Sequence, residues 1–211
     1  MRACDNPFRT EPVLRVRYRL SGSTWAELLA RCERARYRDA LVGPHGTGKT
    51  TLLEDLETRL RERGFGTQLI RLDQEQRTFS RNFLDTLFAN LTARDILLFD
   101  GAEQMGALAW RCFNWRARRA AGLIITTHWA GRLPTLWECS TSPELLNEIA
   151  AELCDVDGQG LRASAAALFS KHRGNLREAL RECYEMAYEE GFEETHPSIA
   201  RPSDRGGLRL L

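Results

Sequence analysis

The chain has 211 residues, of which 43% are hydrophobic, 28% charged and 9% aromatic, close to the average of a globular protein and long enough for one full core with a small appendage. No run approaches the roughly 18 apolar residues of a membrane span, since the most apolar stretch, Gly122 to Trp129, is short and contains His128. Lys plus Arg total 30 against 29 for Asp plus Glu, a net charge of +1, which lacks the basic excess of a protein that neutralises many phosphates.

The N-terminus, Met1-Arg2-Ala3-Cys4-Asp5-Asn6-Pro7, has no apolar segment behind its charge, so no secretory signal is expected. The cysteines (Cys4, Cys32, Cys112, Cys139, Cys154, Cys183) form no Cys-x-x-Cys pair, and several fall on apolar helix faces. Free thiols there act as small hydrophobes, so the expectation is a reducing, cytoplasmic setting and no metal site built on cysteine. Lys49 and Lys171 are the only lysines. A GC-rich genome accounts for that arginine skew without any function.

Residues 1–23 read as an N-terminal arm. Its arginine-alternating run, Val13 to Leu20, is either a strand with one wet face or a segment laid across the domain. Ser23 or Thr24 caps a helix to about Arg36, with Trp25, Leu28, Leu29 and Cys32 on one face. The apolar run Ala40-Leu41-Val42 stops at glycine. A helix between Thr50 and Arg63 turns Leu52, Leu53, Leu56 and Leu60 inward and ends at Gly64-Phe65-Gly66.

Thr67 to Leu72 reads as a second strand, Ser80 to Leu91 as a helix, and Ile96 to Phe99 as a third strand. A helix from about Gln104 to Arg119 and a fourth strand, Gly122 to Thr127, follow. Strands alternating with such helices predict parallel βαβ units. After Pro134 three helical segments are expected without strands: Pro143 to Leu153, with Ser142 as cap, Leu161 to His172, and Asn175 to Glu190. The division is an arm (1–23), an α/β core (24–135), a helical lid (136–194) and a loose tail (195–211).

Gly43-Pro44-His45-Gly46-Thr47-Gly48-Lys49-Thr50 fits G-x-x-x-x-G-K-[ST] at every fixed position, with a strand before it and an amphipathic helix after it. The glycines let backbone N–H groups curl around a polyphosphate, and the helix presents its positive end. Lys49 can reach the β- and γ-phosphates, and the Thr50 hydroxyl can ligate Mg²⁺; Thr51 completes the phosphate-facing set. Asp100, closing the apolar strand Ile96-Leu97-Leu98-Phe99, lies where a carboxylate holds the Mg²⁺ water shell. Thr126-Thr127-His128 ends the fourth strand. Arg177 sits in His172-Arg173-Gly174-Asn175-Leu176-Arg177-Glu178-Ala179-Leu180, which is either a capped amphipathic helix with a solvated arginine or a charge that senses the γ-phosphate.

In this order the elements resemble the AAA-type ATPases, and more broadly the P-loop NTPases with an additional strand between the two Walker motifs. The stretch Gly174 to Leu180 is similar to the lid helix of the origin-recognition and Cdc6-like branch, and of transposition- and secretion-associated ATPases. The resemblance covers about residues 24–190. It implies a three-layer αβα P-loop NTPase with a mostly parallel sheet and a small helical C-terminal lid. It also implies a nucleotide-dependent switch or motor using ATP and Mg²⁺, with Asp100 as the Walker B aspartate, Thr127 (or Thr126) as sensor 1 and Arg177 as sensor 2.

One departure stands out. In that family an acidic residue directly follows the Walker B aspartate and polarises the attacking water, and here Gly101 stands there. Glu103 could substitute if the chain turns into a helix, and Asp73 and Glu75 are alternative bases. Such sites are often completed by a neighbouring subunit's arginine; Arg116, Arg118, Arg119 and Arg132 lie in the right region.

The leading expectation is therefore an ATP-binding, ATP-hydrolysing regulatory protein whose γ-phosphate drives a lid or partner movement. A nucleotide-binding interaction module with little hydrolysis is the alternative, kept open by Gly101. A small-molecule kinase is disfavoured by the helical lid with its sensor-like arginine. An ABC-type ATPase is excluded by the missing Leu-Ser-Gly-Gly-Gln-like signature. The guanine-reading Asn-Lys-x-Asp is absent, which favours ATP over GTP. A protein partner or homo-oligomer fits the resemblance, and nucleic acid enters only by family analogy. Arg15, Arg17 and Arg19 could touch it, or could line a wet strand face.

Overall fold

In the computed structural model, which describes residues 17–154 and 159–195, five parallel strands form one sheet. They are β1 (Arg38–Val42), β2 (Gly66–Arg71), β3 (Asp95–Asp100), β4 (Gly122–Thr127) and β5 (Thr135–Glu138), in the order β2-β3-β4-β1-β5. The inner strands are continuous apolar runs because both faces of a parallel sheet are covered. Ile96, Leu97, Leu98 and Phe99 of β3 are all fully buried.

Strand alternation sends these side chains to two separate cores. On one face Leu41, Ile96, Leu98 and Ile124 pack against α1 (Trp25–Arg34) and α2 (Lys49–Glu62) through Leu28, Leu29, Cys32, Leu52, Leu53, Leu56 and Leu60. On the other, Val42, Leu97, Phe99, Leu123 and Ile125 meet α3 (Arg81–Asn90) and α4 (Ala107–Arg116) through Phe88, Trp110 and Phe113. The result is the three-layer αβα arrangement expected from the alternation of strands and helices. Truncating any of these wholly buried leucines to alanine costs about 2–5 kcal/mol.

Local chemistry explains the helix starts. Thr24 and Glu27 form a capping box on α1, and Ser80 caps α3 by accepting from the Phe83 N–H. Ser142 accepts from the Leu145 N–H at 3.2 Å, capping α5 (Pro143–Cys154). The helix expected from Gln104 to Arg119 is shorter. Gly106 separates a 3₁₀ turn, Ala102–Gln104, from α4, and a second 3₁₀ turn, Ala117–Arg119, follows it.

One expectation is overturned. The chain after Pro134 was read as free of strands, yet Thr135–Glu138 pairs with β1 at the sheet edge. Four residues between a proline and a buried cysteine are too few to show a period.

The helices α5, α6 (Gln159–Lys171) and α7 (Leu176–Thr195) close a third core around Leu146, Ile149, Leu168, Leu176, Ala179 and Leu180. Residues 17–20, the described part of the arginine-alternating run, carry no strand. The Arg17 guanidinium and the Tyr18 N–H both bind the buried Asp55 carboxylate of α2, at 2.6 and 2.8 Å. Arg19 pairs with Glu148 and Glu152 of α5, so the arm ties the C-terminal helices to the core. Val13 to Val16 and the tail from residue 196 lie outside the described residues. Among those residues, no helix is long and apolar enough to cross a membrane.

Candidate functional site

The loop Gly43–Thr50 connects the C-terminal end of β1 to α2, with Gly48 as the N-terminal cap of the helix. Gly46 and Gly48 have φ of 74° and 79°, which an L side chain adopts at a cost. The loop is also crowded from two sides. A Cβ on Gly46 would collide with Oδ1 of Asn175, and one on Gly48 would lie 3.1 Å from Cε2 of Tyr18. Asn175 in turn caps α7 by accepting from the Glu178 N–H at 3.2 Å. The start of the C-terminal helix and the N-terminal arm thus both touch the loop.

Inside it, Lys49 is only 8% exposed, and its ammonium donates to the carbonyls of Gly43 (2.7 Å) and Pro44 (2.6 Å). Burial lowers the Lys49 pKa; Glu103 and Asp100 push it back up, and Arg177 works with the burial. Glu103 is therefore close in electrostatic reach. The Thr47 hydroxyl donates to Pro44 O at 2.9 Å, while Pro44 and His45 are exposed and Thr51 is half-buried.

Asp100 closes β3, and every hydrogen bond of its carboxylate is with a side chain from another element. Oδ2 accepts from Thr50 Oγ1 at 3.0 Å and from Arg71 Nε at 3.0 Å, and Oδ1 accepts from Thr126 Oγ1 at 2.6 Å. The Thr126 hydroxyl also accepts from the Gly101 N–H at 2.8 Å. Thr127 points otherwise, as neighbouring strand residues must: its hydroxyl donates to Trp129 O at 3.1 Å, and its carbonyl accepts from the Gly43 N–H. Arg71 was not singled out in the sequence. It stands directly beside Asp100 in the β2–β3 register, a pairing that spacing along the chain does not reveal.

Gly101 has φ of 82°, and a Cβ there would collide with the Leu72 carbonyl oxygen. An acidic residue cannot occupy that position on this backbone. Glu103, in the 3₁₀ turn that follows, instead places Oε1 3.2 Å from His128 Nε2. The His128 ring packs edge-on against the His45 ring of the phosphate loop, 3.8 Å between centroids. Burial lowers the His128 pKa; Glu103 raises it, and Lys49 and His45 lower it further.

Glu103 Oε2 and Arg132 Nη1 are both buried without a hydrogen-bond partner. Arg132 is anchored by Met105 O at 2.5 Å and by the Trp110 ring at 5.1 Å; burial lowers its pKa while Glu103 raises it. An unpaired buried polar atom costs about 1–3 kcal/mol, more when charged. Two such atoms of opposite charge here mark a place built to receive polar groups. Arg132, in the sequence one of several arginines in the region where a neighbouring subunit supplies its finger, packs within its own chain against Met105 and Trp110.

Other candidates are not brought together. The Asp73 carboxylate accepts from the backbone N–H groups of Glu75 and Gln76 in an exposed turn, and Glu75 is exposed. Arg116 pairs with Asp85 at 2.9 Å, and Arg118 and Arg119 are exposed. Arg177 is exposed two residues after Asn175, within electrostatic reach of Lys49.

No protein-family model matches this chain, and no curated protein matches it in sequence. Solved structures do. Two single-substitution variants of Thermotoga maritima RuvB align at TM-score 0.53, with 17% and 19% identity, over 76% of this chain. Thermotoga maritima RuvB described as a Holliday junction branch migration motor aligns at TM-score 0.51 and 21% identity over 75% of it. The chain spans only 58% to 61% of the length of those proteins. At that identity the likeness concerns the fold alone: this chain has the α/β P-loop NTPase fold of those structures.

Proposed function

We propose that this chain is a Mg-ATP-binding switch that hydrolyses ATP using Glu103 as general base. The observation that carries the reading is the 3.0 Å contact between Thr50 Oγ1 and Asp100 Oδ2. A hydroxyl at the helix start and a carboxylate at a strand tip are hard oxygen donors suited to Mg²⁺. Held there, the ion would neutralise phosphate charge. The backbone N–H groups of His45–Thr51 and the Lys49 ammonium would bind the β- and γ-phosphates, with Gly43 and Pro44 shaping the entry to the cradle.

Glu103 then takes a proton from a water molecule through its unpaired Oε2. The water oxygen bonds to the γ-phosphorus, the bond from that phosphorus to the β–γ bridging oxygen breaks, and ADP leaves with phosphate. His128, its Nε2 3.2 Å from Glu103 Oε1, acts through Glu103 by keeping the carboxylate in place. Arg132 supplies positive charge where negative charge grows, in the same chain rather than from a neighbour. Thr126 orients Asp100; Thr127, by resemblance, senses the γ-phosphate. Arg177 and Asn175 carry that state to the helices α5 to α7 that follow β5.

Two finer readings rest on less. The likeness of Gly174 to Leu180 to the origin-recognition and transposition-associated branch rests on that motif alone. A nucleic-acid partner has support from the RuvB likeness and its Holliday junction substrate. Buried free thiols at Cys32 and Cys139 favour a reducing cytoplasmic setting. Gly101 favours a second reading, nucleotide binding with negligible turnover.

Phosphate release from Mg-ATP, measured on the wild type and on Lys49→Ala with nucleotide binding in parallel, tests the proposal. Turnover that disappears in the variant supports an ATPase. Binding without turnover leaves the scaffold reading, and no binding at all overturns the assignment.

A further inference from the structure

Between Glu103 and Glu138 the chain contains no Asp or Glu and five arginines, Arg111, Arg116, Arg118, Arg119 and Arg132, although the whole protein carries a net charge of only +1. Four of these lie on α4 and the 3₁₀ turn after it. The inner side of α4 buries Trp110 and Phe113 in the core. Its outer side presents Leu108, Arg111, Cys112 and Trp115, which at three- and four-residue spacing form one stripe about 10 Å long. Leu108 is 78% exposed and Trp115 69%.

Arg111, Cys112, Trp115 and Arg116 line a shallow groove of about 410 Å³. Among the described residues, Arg111, Arg118 and Arg119 make no ion pair or hydrogen bond, and the Trp115 indole makes no ring contact. Arg116 alone is neutralised, by Asp85. Positive charge therefore accumulates on this face: Arg118, after burial, lowers the pKa of Arg38.

We propose that the outer face of α4 binds single-stranded nucleic acid. The Trp115 indole stacks on an unpaired base, and Arg111, Arg118 and Arg119 pair with flanking phosphates. Charge complementarity selects a polyanion. The flat exposed indole selects one with aromatic faces, and a duplex hides those faces inside its own stack. A second copy docking by the same face would set the unpaired arginines against each other. The nucleotide loop has no part in this argument.

Fluorescence anisotropy of a labelled oligodeoxythymidylate, titrated with the full chain in the absence of ATP at several salt concentrations, tests it. The expected result is salt-sensitive binding that Trp115→Ala weakens about 5- to 150-fold, the loss of one stacked base, and that Trp115→Phe largely restores. Each of Arg111→Ala, Arg118→Ala and Arg119→Ala should lower the slope of log affinity against log salt by about 0.7. All four positions are exposed, and matching melting curves confirm that the variants fold. Failure of the wild type to bind, equal affinity of Trp115→Ala, or equal affinity for a duplex would each overturn the proposal. So would finding that the face drives self-association, or binds anionic vesicles in preference to the oligonucleotide. Mg-ATP binding measured on the same samples shows whether the nucleotide assignment survives such a failure.

Discussion

Arginine serves opposite ends at the sheet tips and on the outer side of α4. Arg71 is fixed between Asp100 and Glu54, and Arg132 is held by a carbonyl and an indole beside Glu103. Arg111, Arg118 and Arg119 face water with no partner among the described residues. In a chain whose basic residues are nearly all arginine, the residue type says little. Neighbours decide: a guanidinium among carboxylates at strand ends organises a site, and one on a carboxylate-free helix face is left available to an outside anion.

The comparison can be broken in several ways. The largest expected effect is at Gly101, which separates Asp100 from Glu103. Because a side chain there meets both a positive φ and the Leu72 carbonyl, Gly101→Glu should destabilise by about 3 kcal/mol or more and should not raise turnover. Thermal melting and phosphate release check both halves. If Gly101→Glu instead folds and hydrolyses ATP faster, the backbone argument fails.

Next, Arg132→Ala should lower turnover about 100-fold while leaving nucleotide affinity within a few-fold, as for loss of one charge-stabilising group. Arg118→Ala and Arg119→Ala should leave turnover unchanged. Equal effects from buried and exposed arginines would erase the distinction.

Asp39 sharpens it from the other side. Arg31 and Arg34 line the same surface cavity, yet one Asp39 carboxylate oxygen is buried without a partner, and burial raises its pKa to about 6. A raised folded-state pKa means the folded protein binds the proton more tightly. The penalty is absent below the unfolded carboxylate range and grows as pH rises through about 6. Asp39→Asn should therefore raise stability by about 2 kcal/mol at pH 8 and by little at pH 4. Melting curves at the two pH values decide it.

The smallest effect is at His128. Its pKa lies below the ordinary value, so the neutral ring is favoured on folding, and its contribution to stability is present above about pH 6.5 and lost as pH falls. Glu103, Lys49 and His45 are the charged and titratable groups that face it. His128→Ala should lower turnover about 10-fold and remove the acid limb of the pH profile, while His128→Asn, which can still donate, should recover most of the rate.

Much of the architecture was legible because it is local. The strand runs, the caps at Thr24 and Ser142, the inward leucines of α2 and the phosphate loop each depend on residues a few positions apart. Asp100 was legible because an apolar strand ending in an acid is also local. What escaped depends on how distant segments come together. The β5 edge strand was too short to show a period. Arg71 reaches Asp100 only through the β2–β3 register. The His45–His128 contact requires β4 to lie beside β1, an order the chain does not follow in sequence. That Thr126 and not Thr127 contacts Asp100 depends on which strand face meets it. The collision at Gly101 depends on Leu72 lying across from it.

The most direct test of the account is Glu103→Gln, an isosteric change that keeps the volume and a hydrogen-bonding oxygen but removes the base. Single-turnover hydrolysis of Mg-ATP should slow by about 100-fold or more, with ATP binding within a few-fold of wild type. Turnover that persists unchanged in Glu103→Gln would contradict the account and move the search for the base away from the turn after β3.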